Sequence, residues 1–189
     1  MANNLTLEDI DNLYLWYTRL EGNELGSKEE ILDIEIIEAK NSLPKEVFKL
    51  NSLEWLDIKV EDLTEIPKEI GNLTNLDFLN ISGCHNLKEL PKEIGNLSNL
   101  NHLKIKGCHN LKELPKEIEN LDITLTIYNC PNLKELPKEY WNKNVKTQEV
   151  RIIIENGDNI ELLKSTLDSA ISNSANKSLE LTIELKNLD

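Results

Sequence analysis

The sequence has few of the features that mark several common protein classes. Its 189 residues include three cysteines, two arginines and 5% aromatic residues. An odd number of cysteines does not suit a disulfide framework and favours a reducing compartment. The chain starts without the basic and apolar segments of a signal peptide, and no stretch is long enough for a membrane-spanning helix. We therefore expect a cytoplasmic protein, although export into another cell by a signal-independent route stays open.

The balance of charge is acidic and argues against two classes of partner. The chain carries 34 Asp and Glu residues against 21 Lys and Arg residues, a formal net charge of -13. Such a surface repels phosphate backbones and anionic lipids, so we expect neither nucleic acid nor a membrane as partner. The same charge would speed the encounter with a basic protein, but acidic surfaces commonly serve solubility alone.

A short motif recurs five times along the chain. Each copy has an aliphatic residue, then Pro-Lys-Glu and another apolar residue, and the copies are Leu43–Val47, Ile66–Ile70, Leu90–Ile94, Leu114–Ile118 and Leu136–Tyr140. The prolines are 23, 24, 24 and 22 residues apart. Between them a second pattern returns after 24 residues, and its first copy is Leu76, Leu79, Ile81, Cys84, Leu87 and Leu90. Recurrence at near-constant spacing indicates a stack of structural repeats.

The local structure of one repeat follows from its residues. Leu79 and Ile81 alternate with polar residues, as in a strand with one buried face. The residue before each proline is forced toward an extended backbone, and the proline suits the first position of a helical turn. Each unit is therefore predicted to be a strand, a turn and a short helical or irregular return. Since neither half can bury its apolar face alone, the units should stack with parallel strands about 4.8 Å apart.

Segments such as Leu79–Pro91 resemble the leucine-rich repeat family. They are similar to the repeats of plant intracellular immune receptors and of bacterial leucine-rich repeat proteins, over roughly residues 31–141. The resemblance implies an α/β fold, a leucine-rich repeat solenoid shaped as a short right-handed horseshoe with a parallel sheet on its concave side. We assign five repeats to residues 31–146, the outer two irregular, with Leu32–Ile36 as the first strand. The resemblance is specific for fold and unspecific for function.

The start of the chain is predicted to be a helical cap over residues 1–30. Thr6 and Asp9 form a capping-box pattern that opens a helix from about Leu7 to Leu20, and Gly22 is its expected stop. One face of this helix carries apolar residues that should cover the first repeat, namely Leu7, Ile10, Leu13, Tyr17 and Leu20.

The end of the chain, residues 147–189, is assigned to a C-terminal strand-helix-strand cap. Val150, Ile152 and Ile154 alternate as in a strand, Asp158 opens a helix, and Leu179–Leu185 alternates again. Such a unit would seal the open end of the solenoid and protect a sheet edge. A catalytic role for this segment is the weakest alternative, because it offers carboxylates but no histidine or cysteine.

Three cysteines with two neighbouring histidines allow two interpretations. Cys84, Cys108 and Cys130 recur at the repeat period, and His85 and His109 follow the first two. They could form a nucleophilic or metal site, but recurrence at a core position favours free thiols in a buried ladder, with the histidines directed the other way. No glycine-rich phosphate loop, GxSxG or HExxH motif appears. We therefore expect no catalytic residue, no metal ligand and no cofactor.

The outward side of the predicted strands varies from repeat to repeat, while the buried side does not. The alignment gives three outward columns, which are Ile31, Trp55, Phe78, His102 and Thr124, then Asp33, Asp57, Asn80, Lys104 and Thr126, then Glu35, Lys59, Ser82, Lys106 and Tyr128. The residues expected to bind a partner are Trp55, Asp57, Lys59, Phe78, Asn80, His102, Lys104, Lys106 and Tyr128.

The predicted function is that of a non-enzymatic protein-interaction module, either a monomer or a subunit of a complex. Trp55 and Phe78 should lie exposed on adjacent strands, and exposed adjoining aromatics mark interaction surfaces. Lysines gather on the same face, which suits a partner that offers an apolar side chain near carboxylates. In one alternative a cap folds over Trp55. In another, the chain is an acidic inhibitor, immunity or effector-type protein that neutralises a basic enzyme or host protein, with binding that weakens steeply in salt.

Overall fold

The computed structural model describes residues 5–137, 148–155, 160–173 and 179–186. Within these ranges seven strands form one parallel sheet in sequence order, β1 to β7. The strands are β1 Ile36–Ala39, β2 Trp55–Ile58, β3 Phe78–Ser82, β4 His102–Lys106, β5 Thr124–Tyr128, β6 Gln148–Glu155 and β7 Leu179–Lys186. No helix in the described ranges has the length and apolar character that a bilayer crossing requires.

The register of the central strands confirms the predicted stack. Leu56 pairs with Leu79, Leu79 with Leu103, and Leu103 with Leu125. All four leucines are fully buried, as are the isoleucines two positions later in each strand. The solenoid of parallel strands expected from the repeat spacing is therefore the fold of the chain, and one continuous aliphatic core runs through it.

A short 3₁₀ helix forms the return of each of four repeats, at Lys45–Lys49, Lys68–Asn72, Lys92–Asn96 and Lys116–Asn120. The prolines that precede these helices have an extended backbone and serve as N-caps, so a proline comes just before the helical turn and not at its first position as expected. The returns pack closely, because a Cβ added to Gly95 would lie 2.5 Å from the carbonyl oxygen of Glu117 in the next repeat.

The N-terminal helix α1, Leu7–Leu15, opens with the predicted capping box. The Asp9 amide donates to Thr6 Oγ1 at 3.1 Å, and the Thr6 amide donates to Asp9 Oδ2 at 2.7 Å. The chain continues as one π-helical turn, Trp16–Leu20, and Gly22 has the left-handed φ of 74° that fits a helix stop.

The predicted apolar face of this helix was wrong at Leu7, which is 84% exposed. Leu13 is buried, and Ile10 and Tyr17 pack partly against the core, while the side chain of Leu20 lies outside the described residues. Trp16 lies three residues after Leu13, on the same side of the helix, and is also buried; its Nε1 donates to Ser42 Oγ at 2.9 Å. Trp16 therefore helps to dock the helix on the first repeat, although it was not among the residues of the predicted apolar face.

The first repeat has its strand at Ile36–Ala39 instead of Leu32–Ile36, and Ile36 pairs with Trp55 in place of the expected Ile31, a register shift of five residues. Ile31, Asp33 and Glu35 are therefore not in the outward columns. Glu29–Asp33 is a 3₁₀ helix with Ile31 buried, and Ile37 and Ala39 fill the core positions. The Glu21 carboxylate explains the short return, since it accepts hydrogen bonds from the backbone amides that follow β1, those of Lys40, Asn41 and Ser42.

The C-terminal part of the sheet consists of β6 and β7, with helix α2, Ile160–Asn173, between them in the chain. Helix α2 lies against the fifth repeat, because Ser165 Oγ donates to the Lys134 carbonyl oxygen at 2.9 Å and Lys134 pairs with Glu161. Residues 138–147, with the end of the fifth motif copy, and the predicted helix start at Asp158 lie outside the described residues. The domain boundaries and the capping role of this unit stay predictions.

Candidate functional site

The outward side of strands β1 to β5 forms the surface that we call the concave face. Its rows, read across the strands, are Ile36, Trp55, Phe78, His102 and Thr124, then Glu38, Asp57, Asn80, Lys104 and Thr126, then Ser82, Lys106 and Tyr128 with Lys59 directly after β2. Because alternate residues of a strand share one side of a sheet, all nine residues predicted to bind a partner lie on this surface. Whether they bind one stays a prediction.

An aromatic pair occupies the middle of the first row. The ring centroids of Trp55 and Phe78 are 3.9 Å apart with an interplanar angle of 13°, which is a stacked geometry. His102 continues the row, with its ring centroid 5.9 Å from that of Phe78. Trp55 remains 40% exposed, so the alternative in which a cap folds over it is wrong.

Ile36 extends this row and was missed in the sequence. It is paired with Trp55 and is 58% exposed, which makes a continuous apolar strip of Ile36, Trp55 and Phe78 across three strands. The signal was present, since Ile36-Ile37-Glu38-Ala39 fits an alternating strand. It was hidden because Leu32–Ile36 alternates more regularly and lies at the spacing of the other repeats.

A hydrogen-bonded group of polar residues lies beside the aromatic pair. Asp57 is 7% exposed, and its two carboxylate oxygens accept from Asn80 Nδ2 at 2.8 Å and from Lys59 Nζ at 2.6 Å. The hydrogen bond to Asp57 raises the pKa of Lys59, so this lysine stays charged. Within the described residues, Asn80 Oδ1 is buried without a hydrogen-bond partner. The group joins β2 to β3 and encloses one unused acceptor.

Lysines and carboxylates pair along the first two strands but not along β4. Lys40 contacts Glu38 at 3.3 Å, and Lys59 contacts Asp57 at 2.6 Å. On β4 both positions are lysines, Lys104 and Lys106, and neither has a carboxylate within salt-bridge distance among the residues that the structure describes. Lys106 Nζ lies 5.0 Å from the centroid of the Tyr128 ring. The charge of the concave face is therefore least compensated at β4.

The cysteines form the buried ladder that their spacing predicted. Cys84, Cys108 and Cys130 are free thiols in the core, and hydrogen bonding to the neighbouring thiols together with burial raises the pKa of Cys108. His85 and His109 stack on each other with ring centroids 4.5 Å apart, and His85 Nδ1 lies 2.8 Å from the Gly107 carbonyl oxygen. Over the described ranges no group of three or more His, Cys, Asp or Glu side chains is placed to hold a metal ion. The geometry of the thiols is explained by packing.

One groove lies on the return side of the repeats. It has a volume of about 560 Å³ and is lined by the same residues in successive copies, Glu89–Lys92, Glu113–Lys116 and Glu135–Pro137. The leucines in its lining are almost fully buried members of the core. Since the lining repeats with the motif, the groove is a consequence of stacking and carries no variation that could select a partner.

Comparison with known proteins supports the fold. Residues 30–106 match the family model of a leucine-rich repeat region. The leucine-rich repeat domain of the type III effector XopL aligns with 93% of this chain and 65% of its own, with 17% identity and a TM-score of 0.54. The plant peptide hormone receptor RGFR1 in complex with RGF2 aligns with 84% of this chain and 29% of its own, with 22% identity and a TM-score of 0.46.

The similarity to the XopL domain extends to the fold alone. No curated protein matches the chain in sequence. The chain also spans less than two thirds of the length of the two solved structures just described.

Proposed function

Because residues 30–106 belong to the leucine-rich repeat family, we propose that this chain is a protein-interaction module that holds a partner protein on its concave face. The fold supports the general role, since solenoids of this type present extended surfaces for binding. The proposal includes no chemical step and no cofactor. We also propose a cytoplasmic location, which cell fractionation with an antibody to the chain tests directly.

One observation carries the proposal. Trp55 and Phe78 stack in the middle of the concave face, and Trp55 is 40% exposed in a chain with only 5% aromatic residues. Leaving large apolar side chains in water forfeits hydrophobic stabilisation, and Trp is enriched among the residues that dominate binding energy. We therefore assign Trp55 and Phe78 as anchors, with Ile36 at the edge of the same strip.

The polar residues around the anchors supply selectivity in this proposal. Asp57 and Asn80 are almost fully buried and hold each other across two strands, so their polar atoms are fixed before a partner arrives. A surface fixed in advance loses little conformational entropy on binding. Lys104 and His102 are exposed beside them, and Lys59, Lys106 and Tyr128 complete the far row.

The test is a double substitution of the anchors, Trp55→Ala with Phe78→Ala. A partner recovered from native lysate with the wild-type chain should bind the variant at least about 30-fold more weakly, a loss of roughly 2 kcal/mol or more, measured by calorimetry. The matched control is Lys112→Ala with Lys116→Ala, two exposed residues away from the concave face, and its affinity should not change. Thermal unfolding of both variants verifies folding. Unchanged affinity of the anchor variant would remove the proposal.

The acidic-inhibitor alternative rests on the net charge of -13. In that case the partner is basic and is held mainly by carboxylates distributed over the surface. Its affinity would fall steeply between low and high salt, since exposed charges are screened beyond about 8 Å at physiological ionic strength. It would also survive loss of Trp55 and Phe78. The anchor variant and a salt series together distinguish the two functions.

A further inference from the structure

The charges of the concave face follow a rule on β1 and β2. Each strand places a carboxylate and a lysine two residues apart, and the two side chains pair, Glu38 with Lys40 and Asp57 with Lys59. A pair of this kind leaves no net charge at its strand. These two strands therefore attract neither a cationic nor an anionic ligand strongly.

Strand β4 breaks this rule. Lys104 takes the row position of Glu38 and Asp57, and Lys106 lies two residues further on, so two ammonium groups stand where other strands have an ion pair. Both lysines are exposed. In a chain of net charge -13, carboxylates are abundant, yet none of the described ones pairs with either lysine.

A second feature beside β4 is an unused hydrogen-bond acceptor. Asn80 is opposite Lys104 in the register and is 8% exposed. Its Nδ2 donates to Asp57, which fixes the orientation of the amide and directs Oδ1 away from that carboxylate. Oδ1 is buried and has no partner among the described residues. Buried acceptors are nearly always satisfied, so a donor for this atom requires neighbouring side chains to move when a ligand binds.

We infer that the partner bound on the concave face contributes an acidic, extended peptide segment that runs along β4 and places two carboxylates at Lys104 and Lys106. The inference rests on the proposed function and names the chemistry of the partner. The two unpaired lysines of β4 are complementary in charge to such a segment. Trp55 and Phe78 would contact an apolar residue of the ligand next to its carboxylates.

Strand geometry makes this segment specific. Residues two apart in an extended chain are about 6.6 Å apart, for Lys104 and Lys106 as well as for alternate residues of a ligand. The register places Phe78 beside His102, two residues before Lys104. A ligand along β4 therefore has an apolar residue at the level of Phe78 and acidic residues two and four positions from it, opposite Lys104 and Lys106. The ligand chain can run in either direction along the strand.

The test uses random peptides displayed on phage and selected against the full chain. We expect enrichment of an apolar residue followed or preceded at alternate positions by two Asp or Glu residues. A synthetic copy of a selected peptide should lose at least tenfold in affinity when its two acidic residues are changed to Asn or Gln. It should lose at least as much against the Lys104→Glu, Lys106→Glu variant, and a peptide with Lys at both acidic positions should bind that variant better than the wild type.

The matched control has the same change of charge elsewhere, Lys112→Glu with Lys116→Glu, and should bind the selected peptide within twofold of the wild type. Selected peptides that depend on Trp55 and Phe78 but carry no acidic pattern would overturn the inference and leave the proposed function standing. Acidic peptides that bind without the aromatic pair would count against the anchors and retain the lysine site. If no sequence is enriched, or if the control loses as much affinity as the β4 variant, the inference is wrong.

Discussion

The buried side and the outward side of the strands differ in how much the residue type changes from one strand to the next. From β2 to β5 one buried row is leucine on every strand, Leu56, Leu79, Leu103 and Leu125, and the next buried row is isoleucine throughout. The residues between these rows change from Asp57 to Asn80 to Lys104 to Thr126, so the neighbouring outward side chains differ in charge at each strand. The backbone environment is nearly the same on both sides, so backbone propensity does not explain the difference.

Packing accounts for the uniform side. A solenoid core has one set of neighbours repeated along its axis, and a side chain that fits one repeat fits the next. The outward side has no such neighbours and is free to follow an external surface. The difference teaches that stability should be concentrated on the buried rows and recognition on the concave face, and the following substitutions are designed to break or sharpen that division.

The largest expected effect is on the buried side. Leu79→Ala removes a fully buried side chain between two leucine neighbours and should lower the free energy of unfolding by about 2–5 kcal/mol, since the cavity cannot collapse between fixed strands. Denaturant unfolding measures it. Lys104→Ala on the next strand is the control and should change stability by less than about 0.5 kcal/mol. Similar losses for the two variants would mean that the sides do not divide as described.

A smaller effect is expected when Trp55 alone is truncated. Trp55→Ala removes a larger side chain than Leu79→Ala, yet Trp55 is 40% exposed and its main ring contact is the stack on Phe78. Loss of such an aromatic pair costs about 0.5–1.5 kcal/mol beyond the apolar area that it buries, and because Trp55 is partly exposed the total should stay below the loss for Leu79→Ala. The same denaturant experiment measures this value, and a stability loss as large as that of Leu79→Ala would show that Trp55 is mainly a structural residue.

The central repeats could be predicted from the sequence because one constraint acts on each of them. The near-constant proline spacing fixes the length of each return, and the alternation of Leu79 and Ile81 fixes which side is buried, so the register of β2 to β5 followed from the sequence. The same reasoning identified Trp55 and Phe78 as neighbours and the three cysteines as a ladder. All of these residues lie in the central repeats, where the regular stacking of one repeat on the next determines their positions.

The first repeat could not be predicted in this way because its strand is positioned by a contact from outside the repeats. The Glu21 carboxylate binds the backbone after β1 and replaces part of the usual return, which shifts the strand to Ile36–Ala39. Periodicity carries no information about such a contact. The same limit applies to Asn80, whose free acceptor depends on the amide orientation that Asp57 imposes.

The smallest effect is expected at the N-terminal helix, where stability depends on pH and not on the aliphatic rows. The side-chain hydrogen bond from Lys49 and the backbone hydrogen bond from Thr6 lower the pKa of Asp9 from 3.8 to about 2. Because this pKa is lower in the folded chain than in the unfolded chain, the stabilisation is complete above about pH 4 and is lost as the pH falls toward 2. An NMR titration of the Asp9 carboxyl should give the low pKa in the wild type and a value nearer 3.8 in Lys49→Met. The variant should also lose the part of the acid-dependent stability that Asp9 supplies, while the Lys104→Ala control keeps it. A wild-type Asp9 that titrates near 3.8 would show that the contact between α1 and Lys49 does not hold the helix in solution.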